Sequence, residues 1–92
     1  MRVRWSRPAL ADLRGIRVYI ARDSPARADA VVSRLRAIAE VLEQFPYAGR
    51  SGKSATTRDF VVARSPYIIV YRIERIDVVI VEVIHGAQRW PE

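Results

Sequence analysis

Residues 24–46 read SPARADAVVSRLRAIAEVLEQFP, and this stretch decides the fold. Ser24 is a predicted N-cap, and Pro25 is the first helical residue, where the missing N–H of proline costs nothing. Apolar side chains then recur at the period of one helix face: Ala28, Val31, Val32, Leu35, Ile38, Ala39 and Leu42. Phe45-Pro46 ends the pattern. The stretch therefore predicts an amphipathic helix over residues 25–44 that packs on another layer.

A second helix and a short strand come before it. Ser6 is a predicted N-cap, and apolar residues follow at helical spacing: Ala9, Leu13, Ile16 and Ile20. This pattern predicts a helix over residues 7–22. Only two residues separate it from the next helix, so the pair is expected to form an antiparallel hairpin. Residues 1–6 alternate apolar and charged side chains, which predicts a strand.

The second half of the chain changes to a period of two. Residues 47–57 are rich in Gly, Ser and Thr and are interpreted as an exposed loop. β-branched and aromatic runs then predict strands over residues 58–64, 67–74 and 77–85, with short turns that favour antiparallel pairing. The order β-α-α-β-β-β predicts an α+β fold of two layers, a helical hairpin packed on one face of a mainly antiparallel twisted sheet. Residues 1–92 are expected to form a single domain.

Composition excludes several classes of site. The chain has no cysteine, which excludes disulfides and thiolate ligands, and its single histidine leaves no histidine cluster for a metal. No secretion signal or membrane span is visible, so a soluble, cytoplasmic protein is expected. No cofactor is expected either. The net charge is +6, and fifteen of the sixteen basic residues are arginine. Such a charge favours polyanionic or acidic partners.

The order of elements and the residues within them resemble the RelE/ParE superfamily of toxins from type II toxin–antitoxin systems. The resemblance covers nearly the whole chain. It is carried by Pro8-Ala9 through Asp12-Leu13, Tyr19-Ile20, Ser24-Pro25-Ala26-Arg27-Ala28, Leu42 through Phe45-Pro46, Gly49-Arg50, Pro66-Tyr67 to Tyr71-Arg72, and His85-Gly86-Ala87-Gln88-Arg89-Trp90-Pro91. The superfamily implies two alternative activities. RelE-like members cut mRNA in the ribosomal A site, whereas ParE-like members bind DNA gyrase and stall it with broken DNA.

Three positions favour the ParE branch. In the pattern that RelE-like ribonucleases resemble, a basic residue stands at the position of Ile68 and an arginine at the position of Ala87. They also carry a terminal tyrosine, and this chain ends without one. Cleavage at a 2′-hydroxyl requires cations at the phosphate and a proton donor. A shift of one residue in this alignment would give the arginine role to Arg89.

Five residues are candidates for target binding: Arg58, Arg64, His85, Arg89 and Trp90. His85 is also the one candidate general base, because no other side chain has an ordinary pKa near neutrality. Alternatively, it orders the end of the last strand. Two interpretations stay open for Arg58 and Arg64: they contact an acidic target, or they form a solvated basic edge. Two also stay open for Arg89 and Trp90: they anchor a partner, or they fold back on the domain.

The resemblance implies a ParE-like gyrase inhibitor, neutralised by a cognate ParD-like antitoxin whose C-terminal tail wraps the toxin. No sequence-specific DNA binding by the toxin alone is expected. Two alternatives stay open: a ribosome-dependent endoribonuclease, and a complex component that has lost toxicity.

Overall fold

The computed structural model describes residues 1–86, and the elements follow one another in the predicted order with one addition. They are β1 (Arg2–Trp5), α1 (Arg7–Ala21), α2 (Pro25–Gln44), β2 (Arg50–Ser51), β3 (Arg58–Val61), β4 (Tyr67–Glu74) and β5 (Asp77–His85). The addition is β2, which lies in the stretch that the sequence analysis interpreted as a loop. Two residues are too few to produce an alternating pattern, so only their pairing with β3 reveals this strand.

Both helices begin where the predicted caps place them. The Ser6 hydroxyl accepts a hydrogen bond from the Ala9 amide at 3.1 Å, and the Ser24 hydroxyl accepts one from the Arg27 amide at 3.1 Å. Each bond satisfies an amide that has no partner within its helix. The α1–α2 hairpin is therefore confirmed, although α1 ends at Ala21, one residue earlier than predicted. Within residues 1–86, neither helix has the length and apolar character needed to cross a bilayer.

The sheet has the strand order β1-β5-β4-β3-β2, and only β1 pairs in parallel, with β5. The predicted α+β fold with a mainly antiparallel sheet is confirmed. The predicted strand over residues 58–64 is too long, because β3 ends at Val61. The chain then turns at Arg64, whose φ of 56° lies in the left-handed region. A residue in this conformation does not extend a strand.

The core lies between the helical hairpin and one face of the sheet. The apolar stripe of α2 supplies Leu35 and Leu42, and the central strands supply Tyr71, Ile69 and Ile80, all almost fully buried. The prediction that Tyr67 and Tyr71 are mainly core residues is confirmed. Trp5 is half-buried against this cluster and has the Arg36 guanidinium 5.7 Å from its ring centre.

Candidate functional site

A concave site lies where the helical hairpin meets the β3–β4 turn and the end of β5. We call it the end cleft, and its defining residues are Tyr19, Arg27, Arg34, Arg64, Tyr67 and His85. Its volume is about 370 Å³. The residues come from α1, α2, the β3–β4 turn, β4 and β5, which are distant in sequence. The cleft therefore exists only because the hairpin packs across the sheet.

The rim of the end cleft is positively charged. Arg27 and Arg34 are seven positions apart on α2, which places them two turns apart on the same face. The Arg34 guanidinium donates a hydrogen bond to the carbonyl oxygen of Ala63, which ties α2 to the β3–β4 turn. Arg64 adds a third cation from the turn itself. Asp23 is the one acidic residue among the described residues that line the cleft, so positive charge dominates.

The floor of the end cleft is apolar apart from one hydroxyl. Val31, Leu35 and Val62 lie beneath the arginines. The Tyr67 ring meets the His85 ring edge-on, with centres 5.8 Å apart and planes 81° apart. Burial raises the pKa of Tyr67 above its ordinary value, and Tyr19 raises it further, whereas Arg27 lowers it. Tyr67 therefore presents a neutral phenol near neutral pH.

A groove along α1 continues from the end cleft and shares Tyr19, Tyr67 and His85 with it. We call it the α1 groove, and its other residues are Ala11, Asp12, Gly15, Ile16 and Val83. Its volume is about 540 Å³. Tyr19 stands between the two cavities with 68% of its surface exposed. The cleft and the groove are therefore parts of one continuous concave surface.

The wall of the α1 groove includes the part of β5 that extends beyond β1. One edge of this part of β5 pairs with β4, and on the opposite edge two main-chain groups are bonded to side chains. The Ser6 hydroxyl donates to the Val81 carbonyl oxygen at 2.8 Å, and the Asp12 carboxylate accepts from the Val83 amide at 2.9 Å. These two bonds occupy groups that an added strand would otherwise use.

Arg58 lies in a different cavity from Arg64, at the far end of β3. Its guanidinium donates to the Gly49 carbonyl oxygen at 2.7 Å and lies 4.8 Å from the centre of the Tyr47 ring. The Tyr71 hydroxyl donates to the Pro46 carbonyl oxygen at 2.7 Å and accepts from the Gly49 amide at 2.8 Å. We call residues 46–49 the anchored loop. Arg58 therefore contacts two residues of this loop and helps to hold it in place.

Gly49 is required at its position by the closeness of Tyr71. A Cβ on residue 49 would lie 2.6 Å from the Tyr71 hydroxyl and 2.9 Å from the Asp59 carbonyl oxygen. Burial raises the pKa of Tyr71, although the Gly49 amide and Arg58 lower it. Gly49 is therefore buried and tightly packed against Tyr71, whereas Tyr47 and Ala48 of the same loop are exposed.

The structure brings together two of the five sequence candidates, Arg64 and His85. Arg89 and Trp90 lie outside the described residues, as does Ala87. Ile68, at the first ribonuclease position, is 5% exposed in the centre of the sheet, opposite Val61 and Ile84. Within residues 1–86 no cluster of His, Asp or Glu is arranged to hold a metal ion.

The sequence analysis did not include Arg27 and Arg34 of α2, which line the end cleft, among its candidates. Their seven-residue spacing was the available signal, because it puts both on one side of the helix. It missed Tyr19 as well, a residue that it used only for the family resemblance. Nothing in the sequence showed that this side faces the β3–β4 turn.

Comparisons with known proteins agree with one another. A family model described as the ParE toxin of type II toxin–antitoxin systems, parDE, matches residues 3–90. Y4kP, a Sinorhizobium fredii protein assigned as a toxin, is 44% identical over 91 residues, which cover 99% of this chain and 94% of that protein. Toxin RelE2 of Caulobacter vibrioides is 40% identical over 84 residues, covering 91% and 93%. A chain of the chromosomal ParDE toxin–antitoxin system from P. aeruginosa matches with a TM-score of 0.84 at 25% identity, covering 92% of this chain and 95% of that chain.

Proposed function

The chain belongs to the ParE toxin family of type II toxin–antitoxin systems, and from that premise we propose that it inhibits DNA gyrase. We further propose that it acts in the cytoplasm and that a cognate ParD-like antitoxin neutralises it. The P. aeruginosa structure is described as a ParDE system, and its similarity to this chain supports an antitoxin of the ParD type. In this proposal the toxin binds its target and performs no chemistry of its own.

The observation that carries the choice of target is the position of Ile68. The resemblance implies that a ribonuclease of the RelE type has a cationic side chain at this position. That cation stabilises charge on the scissile phosphate. Here the position holds a buried aliphatic side chain between two other strands. A hydrocarbon cannot offset phosphate charge, and the loss of one such stabiliser typically reduces the rate by about 10²–10³. This supports binding rather than RNA cleavage as the toxic activity.

Target-binding residues follow from the same proposal. Arg64 and His85 lie at the end cleft, where they are accessible to a macromolecular target. Arg89 and Trp90 are retained as candidates on sequence grounds, because tryptophan and arginine dominate binding hot spots. Arg58 is retained as well, although its contacts with the anchored loop mean that its substitution also perturbs structure.

A supercoiling assay tests the proposal. Purified gyrase acts on relaxed plasmid with and without the toxin, and the products are treated with detergent and protease before electrophoresis. We expect loss of supercoiled plasmid and accumulation of linear DNA, and addition of the antitoxin should restore supercoiling. Normal supercoiling at toxin concentrations that arrest growth would contradict gyrase as the target.

A ribosome-dependent ribonuclease is the second candidate, and two observations favour it. A relative at 40% identity carries the name RelE2. The end cleft also collects arginines, a histidine and a neutral phenol, which are groups that RNA cleavage uses. A purified translation reaction separates the two candidates. Codon-specific mRNA cuts at toxin levels that leave gyrase active would establish the ribonuclease, and arrest of neither gyrase nor translation would favour a component that has lost toxicity.

A further inference from the structure

We propose that the end of the sheet opposite the end cleft binds the phosphate backbone of duplex DNA without reading its sequence. We call it the basic end, and it consists of the start of β1, the β2–β3 loop (residues 52–57) and the β4–β5 turn (residues 75–76). The inference goes beyond inhibition of gyrase, because the toxin alone makes this contact. On gyrase, the same surface would hold the toxin against the DNA that the enzyme has bound.

The directions of the strands bring these segments together. β1 runs parallel to β5, and β4 runs antiparallel to both β3 and β5. The starts of β1, β3 and β5 therefore lie beside the end of β4, and the Arg2 amide donates to the Ile76 carbonyl oxygen at 3.1 Å. Five strands at a spacing of about 4.8 Å span about 19 Å. The basic end is thus as long as about five phosphates of one DNA strand, which follow one another at about 3.4 Å along the axis.

The acidic groups of this end are already paired with arginines. Glu74 and Asp77 accept hydrogen bonds from the Arg4 guanidinium at 3.1 Å and 2.9 Å. Arg72 also pairs with Glu74, and Arg2 lies 3.9 Å from Asp77. Three further cations are exposed and form no ion pair with any residue between 1 and 86, namely Arg50, Lys53 and Arg75. Their charges therefore face solvent without neutralisation from these carboxylates.

The β2–β3 loop adds hydroxyl groups to this charge. A cavity of about 290 Å³ opens between the loop and β4, and the described residues that line it include no acidic side chain. Arg58 lines it together with three hydroxyl-bearing residues, Ser51, Thr56 and Thr57. Arginine, serine and threonine side chains are common donors to DNA phosphates. The cavity is therefore suited to one phosphate group of the backbone.

The cations form a row, which favours a phosphate chain over an acidic protein. Arg50, Lys53 and Arg75 come from β2, the β2–β3 loop and the β4–β5 turn. Arg2, with a side chain that is 78% exposed, extends the row to β1 at the other edge of the sheet. DNA phosphates repeat at a regular interval, so a basic stripe is sufficient to bind them. A protein partner instead buries an apolar core within a polar rim.

The backbone of Arg75 allows charge to be separated from folding. Its φ of 54° lies in the left-handed region, which glycine adopts without strain. Arg75→Gly therefore removes a cation from the basic end and preserves the turn. Arg64 has a φ of 56° and is also exposed, but it lies in the β3–β4 turn at the other end of the sheet. Arg64→Gly is the matched control, because it makes the same change of charge and of backbone strain elsewhere.

The experiment titrates the full-length toxin into labelled DNA duplexes of two unrelated sequences and follows fluorescence anisotropy. Four phosphate contacts, from Arg2, Arg50, Lys53 and Arg75, predict a salt slope of about −3.6 and a loss of affinity of about a hundredfold between about 50 and 200 mM salt. Arg75→Gly should reduce the slope by about 1 and weaken binding about tenfold at the lower salt concentration, on both duplexes alike.

Two further variants complete the comparison. Lys53→Gln should behave like Arg75→Gly, which provides a second test at a position outside the turn. Arg64→Gly should change the affinity for DNA by less than about threefold and leave the slope unaltered. Melting temperatures provide the folding control, and we expect Arg75→Gly and Arg64→Gly to melt close to the wild type.

The remaining outcomes separate this inference from the proposed function. The predicted DNA binding, observed together with normal supercoiling by gyrase, would support the inference and contradict the proposed function. Inhibition of gyrase by a toxin that binds no DNA at the lower salt concentration would overturn the inference alone. Equal losses for Arg64→Gly and Arg75→Gly would mean diffuse attraction to net charge and would also overturn it. Stronger binding of an RNA duplex or of polyglutamate, lost in the same variants, would assign the basic end to RNA or to an acidic protein instead.

Discussion

The anchored loop and the end cleft lie at opposite ends of β3, and one arginine from the same short stretch of sequence lies beside each of them. Arg58 donates one hydrogen bond to the Gly49 carbonyl, and its guanidinium lies against the Tyr47 ring. Arg64 lines an open cavity with Arg27 and Arg34. Six positions separate two residues of identical chemistry, and their surroundings give Arg58 contacts within the domain and leave Arg64 exposed in a cavity.

This difference teaches how to interpret the basic charge of the chain. The stretch from residue 47 to residue 66 has three arginines and Lys53 against Asp59, which reads as one positive surface in the sequence. In the folded domain the two arginines that flank β3 are separated, Arg58 beside the anchored loop and Arg64 in the end cleft. Charge counting therefore combines two arginines that lie in different surroundings.

The largest expected effect concerns the core beneath the end cleft. Leu35 is 1% exposed, and Leu35→Ala should lower the free energy of unfolding by roughly 2–5 kcal/mol, because it removes buried contacts and leaves a cavity. Val41→Ala on the exposed side of the same helix should cost much less. Chemical denaturation provides the measurement. Equal losses at the two positions would mean that the cleft floor is not part of the core.

A pair of glycines extends the comparison from charge to packing. Gly49→Ala places a methyl group against Tyr71 and should cost about 1–3 kcal/mol of stability through overpacking. Gly15→Ala, in the wall of the α1 groove, meets nothing within 4 Å and should stabilise α1 by about 0.5–1 kcal/mol. Thermal melts of both variants should therefore shift in opposite directions. Melting temperatures that shift in the same direction would contradict the difference in packing between Gly49 and Gly15.

The hydroxyl of Tyr71 tests the anchored loop alone. Tyr71→Phe removes the partner of the Gly49 amide and should lower stability by about 1–3 kcal/mol, since a buried donor is left unsatisfied.

The same residue makes a prediction about pH. The pKa of Tyr71 is raised in the folded state, so its contribution is fully present below its unfolded pKa of about 10 and is lost as the pH rises through the folded value. Denaturation midpoints measured from pH 8 upwards should fall more steeply for the wild type than for Tyr71→Phe. Parallel curves would indicate that Tyr71 ionises alike in both states.

The smallest effect separates the two arginines directly. Arg58→Gln should cost roughly 1–2 kcal/mol, because a partly buried guanidinium–carbonyl bond is lost. Arg64→Gln should change stability by no more than about 0.5 kcal/mol, as is usual for an exposed side chain. Differential scanning calorimetry of the two variants side by side decides this point. A larger loss for Arg64→Gln would reverse the roles assigned to these residues.

Local sequence signals were sufficient to predict the helices, their caps and the order of the long strands. Period, N-cap and breaker signals are local, and Ser6, Ser24 and Pro46 act on their immediate neighbours without help from the rest of the chain. The family followed from the same ordered pattern, because the resemblance depended on many short features spread along the chain.

The residues that come together in the end cleft depend on the packing of the two layers. The parallel pairing of β1 with β5, the two-residue strand β2 and the early end of β3 all depend on partners distant in sequence. Arg27 and Arg34 are both exposed, and only the packing of α2 against the β3–β4 turn places them at the rim of a cavity. A cleft forms between elements that are distant in sequence. Local periodicity within one element therefore does not predict which surfaces will line it.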